Sequence, residues 1–237
     1  MKRTLLISDI HGELTLFEEL LRKVSFNEQE DQLVLLGDYI DRGPYSKEVL
    51  SKVSYLKSKG SQVLMGNHEQ IMLDVFKNEN KYDWDFWLHT AGGLATMRSY
   101  GFSEEDLEQA GTLEDFSLVP FLTDEIVEHL EFIRHLDTVI EQGDFIFVHA
   151  GVDPDIPLHQ NSNKSFLWIR DEFHSGYHGD QTVIFGHTPT SRLHHDKKNH
   201  QIYFGENRIT GIDGGAVFGG QLNCLELPSQ KVYSVHK

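Results

Sequence analysis

Six residues able to donate electron pairs to a metal are spread along this 237-residue chain: Asp9, His11, Asp38, Asn67, His149 and His187. Two carboxylates, three imidazoles and one amide, with no thiolate, suit Mn²⁺, Fe or Zn²⁺ better than Ca²⁺. Asp38 has two carboxylate oxygens and can serve two ions. One ion would take Asp9 and His11, the other Asn67, His149 and His187. A pair of divalent cations about 3.5–4 Å apart turns a shared water into a nucleophile near neutral pH. Their excess positive charge attracts a phosphoryl dianion and offsets charge developing on its oxygens. The chemistry these donors imply is hydrolysis of a P–O bond.

Side chains beside the donors supply the rest of such a reaction. Arg42 offers a bidentate fork for phosphate oxygens, and Arg170 is a second candidate fork, set against the plainer reading of an ion pair with Asp171 or Glu172. His68 adjoins Asn67 and, as an imidazolium, can protonate a leaving oxygen; Asp41 can orient it and favour its charged form. Such a dyad matters most for a poor leaving group, such as a seryl or threonyl alkoxide. A phosphoanhydride releases a stabilised phosphate and needs a proton less.

The elements that must carry these residues are legible from hydrophobic pattern. Asp9-Ile10-His11-Gly12, Gly37-Asp38-Tyr39-Ile40-Asp41-Arg42-Gly43, Gly66-Asn67-His68-Glu69, His149-Ala150-Gly151 and Gly186-His187-Thr188 each follow a short apolar run: TLLIS, QLVLL, SQVLM, FIFV and TVIF. Runs of that length and β-branched or aromatic content predict strands. Loops after strands collect at one rim of a sheet, where α/β proteins bind ligands. Leu14, Phe17, Leu21 and Val24 recur at helical spacing, and a second helix is expected from about Ser46 to Lys59. Strand, helix, strand, helix, strand is the order of βαβ units.

Residues 69–136 are expected to form a helical insertion, marked by Ile71, Met72, Val75 and Phe76 and by Ile126, Leu130 and Ile133. After it, Thr138–Ile140 and Phe145–Val148 predict a hairpin, and Thr182–Phe185, Gln201–Phe204, Leu222–Leu227 and Val232–Val235 further strands. The expected fold is α/β, a four-layer αββα sandwich of two mixed sheets, with residues 1–237 as one domain.

Bulk properties exclude several partners. Thirty-seven acidic against 21 basic residues give a net charge of −16, which repels a nucleic-acid backbone and an anionic membrane surface alike. A small phosphorylated substrate, or a phosphoprotein, is still admitted because bound cations invert the local field. The start, Met1-Lys2-Arg3, is basic, but the apolar run after it is too short for a signal segment, and no run approaches membrane-spanning length. A single cysteine, Cys224, allows no internal disulfide and is expected to be a packed thiol. A cytoplasmic setting is the expectation.

The motif set SDIHG, GDYIDRG, GNHE, HAG and GHT resembles the phosphoprotein phosphatase branch of the calcineurin-like metallophosphoesterases, in particular its compact bacterial and phage serine/threonine phosphatases. The resemblance runs from Ser8 to about Asp213. It implies that Asp9, His11, Asp38, Asn67, His149 and His187 hold two metal ions, commonly Mn²⁺, that Arg42 and Arg170 bind phosphate, and that His68 with Asp41 donates a proton. It implies activity on phosphoserine and phosphothreonine in proteins, with phosphotyrosine a further candidate. Proline at 189 departs from the GHxH pattern of nuclease and purple-phosphatase relatives. Symmetrical diadenosine tetraphosphate hydrolases, the alternative, typically lack the acid at Asp41 and carry GNHD where this chain has Glu69. A non-catalytic metal-held scaffold is the remaining reading, and retention of both arginines and His68 opposes it.

Other candidates carry less. His194, His195 and His200 lie in a Lys-rich polar loop. His89, His129, His135, His159, His174, His178 and His236 show no partner pattern, and Trp84, Trp87 and Trp168 are expected to be packing residues. The glycines of Gly211-Ile212-Asp213-Gly214-Gly215 and Gly219-Gly220 lack the lysine and helix of a nucleotide loop, while Asp213 could support the ligands or only shape a turn.

Overall fold

The computed structural model describes residues 3–112 and 114–237; Met1 and Lys2 of the basic start lie outside it, as does Leu113. The strands are β1 (Thr4–Ile7), β2 (Gln32–Leu35), β3 (Gln62–Val63), β4 (Val139–Gln142), β5 (Phe145–Val148), β6 (Thr182–Phe185), β7 (Tyr203–Phe204), β8 (Ile209–Gly211), β9 (Gln221–Leu227) and β10 (Lys231–His236). Among the described residues they form two sheets, ordered β10-β9-β1-β2-β3 and β4-β5-β6-β8-β7. β1, β2 and β3 run parallel, as do β5, β6 and β8, while β9, β10, β4 and β7 pair antiparallel at the flanks. Both sheets are therefore mixed, as expected.

Strand parity explains the layering. Successive side chains point to opposite faces, so Leu5 and Ile7 of β1 join one apolar cluster and Leu6 another. Leu33 and Leu35 of β2 follow the first, Val34 the second. In the second sheet Phe147 and Ile184 join the cluster of Leu6 and Val34, whereas Ile146, Val148, Val183 and Phe185 enter a third. The shared cluster is the contact between the two sheets. The other two lie under helices, and the result is a four-layer α/β sandwich. Each fully buried aliphatic side chain stabilises it by about 1.5–3 kcal/mol. Near-continuous apolar runs in β1, β2, β5 and β6 are what burial on both faces demands.

Helix α1 (Leu14–Lys23) buries Leu16, Phe17, Leu20 and Leu21 and ends in Arg22 and Lys23, whose charges suit the negative C-terminal end of the dipole. α2 (Ser46–Ser58) buries Val49, Leu50, Val53 and Leu56 on the same sheet face. A helical stretch follows β3, with α3 (Asn67–Asn78), α4 (Lys81–Phe86), a π-helical turn at Trp87–Ala91, α5 (Gly93–Ser99), α6 (Glu104–Leu107) and α7 (Asp124–Arg134). It begins at Asn67, two residues before the expected start, because the fourth donor is itself the first residue of α3. Met72, Trp84, Met97, Phe121, Ile126 and Ile133 share one continuous core with α1, α2 and the first sheet. α8 (Asn163–Trp168) and α9 (Asp171–Gly176) cover the second sheet through Phe166 and Phe173, and α10 (Thr190–Leu193) follows β6.

Three local expectations are corrected. β4 runs on to Gln142, opposite Phe145, so the hairpin turn is only Gly143-Asp144. β7 shrinks to Tyr203–Phe204, and β8 was not expected at all; three residues, Ile-Thr-Gly, are too few to show a period. Cys224 is buried as expected, and burial pushes its thiol pKa up to about 12.

Candidate metal centre

All five signatures leave the C-terminal ends of parallel strands, and hydrogen bonds knit their loops together. The first and second join through His11 N–H to the Asp38 carbonyl at 2.9 Å and Gly12 N–H to the Tyr39 carbonyl at 2.8 Å. Within the second sheet the Gly186 N–H reaches the His149 carbonyl at 2.8 Å, and the loops of the two sheets meet where the His187 N–H reaches Asp9 Oδ2 at 3.0 Å. Asp9, His11, Asp38, Asp41, Arg42 and His187 all have left-handed backbone, with φ between 45° and 71°. Such conformations cost about 1–3 kcal/mol each and persist where the surroundings enforce them.

Asp38, His149 and His187 form one compact cluster, with ligand atoms within 4.8 Å of one another. Asp38 Oδ1 is 3.4 Å from His149 Nε2, and His149 Nε2 is 2.9 Å from Asn67 Oδ1. Two ligands about 2.1 Å from one ion stand ~3.0–3.4 Å apart at octahedral or tetrahedral angles, so these spacings fit a shared cation. His187 Nε2 is buried with no hydrogen-bond partner, an orphan that a cation would satisfy. Burial lowers the pKa of His11, His149 and His187, the last to about 2, leaving their lone pairs free for coordination. Nδ1 of His11 and of His149 hydrogen-bonds the Ile40 and Leu36 carbonyls, at 2.7 and 2.8 Å, so each ring turns Nε2 inward.

The second cluster differs from the expected first metal position. It groups His11, Asp38 and His68, with His11 Nε2 3.5 Å from Asp38 Oδ2. Asp9 stands outside both clusters, its oxygens taken up by the His187 N–H and by the Ser8 hydroxyl at 2.5 Å. Burial, then the charges of Asp213 and Asp38, hold the Asp9 pKa well above its usual range. Packed carboxylates that resist ionisation are what a cation relieves. Asp213, also buried and raised to about 6 chiefly by burial, accepts the Gly215 N–H at 2.7 Å. It is both a turn former and a charge facing the ligands.

Asp41 Oδ2 is 2.6 Å from His68 Nδ1. Burial disfavours the imidazolium, but the charge of Asp38 and the hydrogen bond that His68 donates to Asp41 outweigh it, and the His68 pKa is raised. The Arg42 guanidinium reaches His11 Nε2 at 2.6 Å and His68 Nε2 at 2.7 Å, and it stacks under the exposed Phe218 ring, 5.1 Å from its centroid. Arg170 donates to Thr188 Oγ1 at 2.8 Å and the His187 carbonyl at 3.3 Å, so it turns into the site rather than toward Asp171 or Glu172.

Several contributors escaped the sequence reading. Glu69 is fully buried and accepts the N–H groups of Asp38, Tyr39 and Gly66 at 2.8, 2.8 and 2.9 Å, bracing the Asp38 loop. Its place in the GNHE signature was the available signal. Trp87 and Thr96 donate to Asp41. Trp168, expected to pack, is 42% exposed, with its ring edge-on to His187 at 6.2 Å. His129 has partners after all, Tyr100 Oη at 2.5 Å and Ser51 Oγ at 3.2 Å.

The model of the calcineurin-like phosphoesterase family matches residues 2–220. The chain belongs to that family. This phosphoesterase is 30% identical over 229 residues to the serine/threonine-protein phosphatase 1 of Salmonella typhimurium, covering 93% of the chain and 90% of that protein. It is 27% identical over 255 residues to an asymmetrical bis(5'-nucleosyl)-tetraphosphatase of Oceanobacillus iheyensis, covering 97% of the chain and 90% of that protein. A solved structure described as a candidate diadenosine tetraphosphatase superposes with a TM-score of 0.70 at 22% identity, over 99% of this chain and 93% of that one; it bears on the fold alone. Among the described residues no helix is long and apolar enough to cross a membrane.

Proposed function

We propose that this phosphoesterase is a metal-dependent phosphomonoesterase acting on phosphoserine and phosphothreonine in proteins, with phosphotyrosine as a further substrate. Asp9, His11, Asp38, Asn67, His149 and His187 would hold two divalent ions, Mn²⁺ fitting the oxygen–imidazole donor set and Fe or Zn²⁺ remaining compatible. When bound, such a pair supplies an activated water for attack on phosphorus and neutralises the non-bridging oxygens. Arg42 and Arg170 bind those oxygens from the protein side. On taking up phosphate, the Arg42 fork exchanges the two imidazole nitrogens for phosphate oxygens and uncovers His68 Nε2. That nitrogen is then free to take up a proton from solvent and to give it to the leaving oxygen, while Asp41 accepts the Nδ1–H. The reading takes the chain as one catalytic unit in a reducing, cytoplasmic setting.

The 2.6 Å pairing of Asp41 with His68 carries this reading. A buried acid dyad lowers the barrier for an alkoxide leaving group far more than for a phosphate. The names of relatives also support a second reading, hydrolysis of a bis(5'-nucleosyl) tetraphosphate, since one such enzyme matches nearly the whole chain. Turnover of a phosphoserine peptide against diadenosine tetraphosphate, each with Mn²⁺ added, separates the two. The first reading expects the larger kcat/KM on the peptide; the opposite order gives the site to the dinucleotide.

A further inference from the structure

Asp41 is held by much more than His68. The Trp87 Nε1–H lies 3.1 Å from both of its carboxylate oxygens, and the Thr96 hydroxyl donates to Oδ1 at 2.7 Å. The Asp41 N–H points at Thr96 Oγ1 and Ser46 Oγ, at 2.9 and 3.0 Å. Asp41, Ser46, Trp87 and Thr96 are all fully buried. A carboxylate with donors on both oxygens cannot turn away from the imidazole it orients.

The local backbone is shaped for this contact. Trp87 opens a π-helical turn, a rare form concentrated at functional sites. Behind the turn come two glycines that serve opposite neighbours. A Cβ at Gly93 would sit 2.5–2.6 Å from the Trp87 ring, so glycine is what lets the indole reach Asp41. A Cβ at Gly92, whose φ is +104°, would strike the Arg42 side chain at 2.7 Å, and the Gly92 carbonyl accepts the Arg42 N–H at 3.0 Å. Trp84 and Phe76 pack on Trp87, with ring centroids 5.7 and 6.0 Å away. The helical stretch that packs on the outer face of the first sheet thus reaches Asp41 through both the Trp87 indole N–H and the Thr96 hydroxyl.

We propose that Trp87 and Thr96 are positioning residues for proton donation to the leaving group, fixing Asp41 so that His68 Nε2 faces the departing oxygen. This rests on the reading of His68 as the acid given above. Neither side chain meets the substrate, so their loss falls selectively on substrates that need the proton. The readout is the ratio of kcat on a phosphoserine peptide to kcat on p-nitrophenyl phosphate, whose phenolate leaves with little protonation. Asp41→Asn sets the scale, with the ratio expected to fall ~100-fold. Trp87→Phe keeps an aromatic ring and removes the N–H; Thr96→Val keeps the volume and removes the hydroxyl. Each is expected to lower the ratio about tenfold, with Thr96→Ser restoring it. Should Trp87→Phe fail to fold, as judged by circular dichroism, the two Thr96 variants decide. A ratio that holds at the parent value in Trp87→Phe and Thr96→Val, whether both rates fall or neither does, overturns the assignment. A ratio unmoved in Asp41→Asn removes the acid dyad itself, and the positioning role with it.

Discussion

His149 Nε2 and Asn67 Oδ1 face each other at 2.9 Å in a buried position, and both are acceptors because the His149 ring keeps its proton on Nδ1, which donates it in a hydrogen bond to the Leu36 carbonyl. Two acceptors at that distance repel unless a positive charge stands beside them. A divalent cation should therefore stabilise the fold. Saturating Mn²⁺, at ~100 times its Kd, should add about 2.7 kcal/mol, seen as a rise in Tm that a chelator reverses. His187→Ala should weaken Mn²⁺ binding measured by calorimetry and shrink the Tm rise. A full Mn²⁺-dependent rise in that variant would remove His187 from the ligand set.

The carboxylate of Glu69 makes a prediction about loop geometry. Burial, then the nearby charge of Asp38, push its pKa up to about 7, yet four backbone N–H groups, those of Asp38, Tyr39, Ile40 and Gly66, still converge on it. Glu69→Gln places an amide NH₂ against at least one of those donors and leaves it unsatisfied. A loss of about 2–3 kcal/mol in unfolding free energy is expected, together with weaker Mn²⁺ binding because the Asp38 loop loses its brace. Denaturant unfolding and a metal titration on the same variant check both; an unchanged midpoint would remove Glu69 from this role.

The Arg42 fork should be read through phosphate binding rather than stability. Arg42 is exposed and its present partners, His11 and His68, are both nitrogen acceptors that a phosphate can replace. Arg42→Ala should weaken competitive inhibition by inorganic phosphate ~10–100-fold. Arg42→Lys should recover only part of that, since an ammonium cannot make the paired contact. A full recovery by lysine would reduce the fork to a point charge.

Much of this site was legible because its signatures are polar breaks after apolar runs, and a parallel sheet turns that pattern into one rim. Asp38, His149 and His187, each just past a strand end, come within 4.8 Å of one another at that rim. What stayed hidden depended on tertiary contact without periodicity. Trp87 reads as a packing aromatic because its ring is packed; only the direction of one N–H, set by a π-helical turn, reveals its link to Asp41. Asp9 keeps its place at the end of β1, but its oxygens turn to the His187 amide, a contact between residues 178 positions apart that no local spacing encodes. β8 is three residues long and owes its existence to pairing with β6 and β7.

His174 makes the pH prediction. Its ring stacks on Phe185 at 5.3 Å and lies 5.7 Å from Phe173, with Nε2 buried and unpartnered. Burial, and to a lesser degree the charge of Arg170, lower its pKa to about 4 against the opposing pull of Asp171 and Glu172. The unfolded chain takes up this proton near pH 6.5, its ordinary value, whereas the folded chain holds it off until about pH 4. Between those values the unfolded state binds more protons, so stability falls as the pH falls. The contribution is whole above about pH 6.5 and is lost by about pH 4, on the order of 2 kcal/mol after solvent access to the ring is allowed for. His174→Phe keeps the aromatic contact and cannot take up the proton. Its Tm should match or exceed the parent at pH 7.5 and decline less on acidification to pH 4.5. Differential scanning calorimetry across that range tests it, and parallel Tm–pH curves for the two proteins would show that the ring is not held neutral by burial.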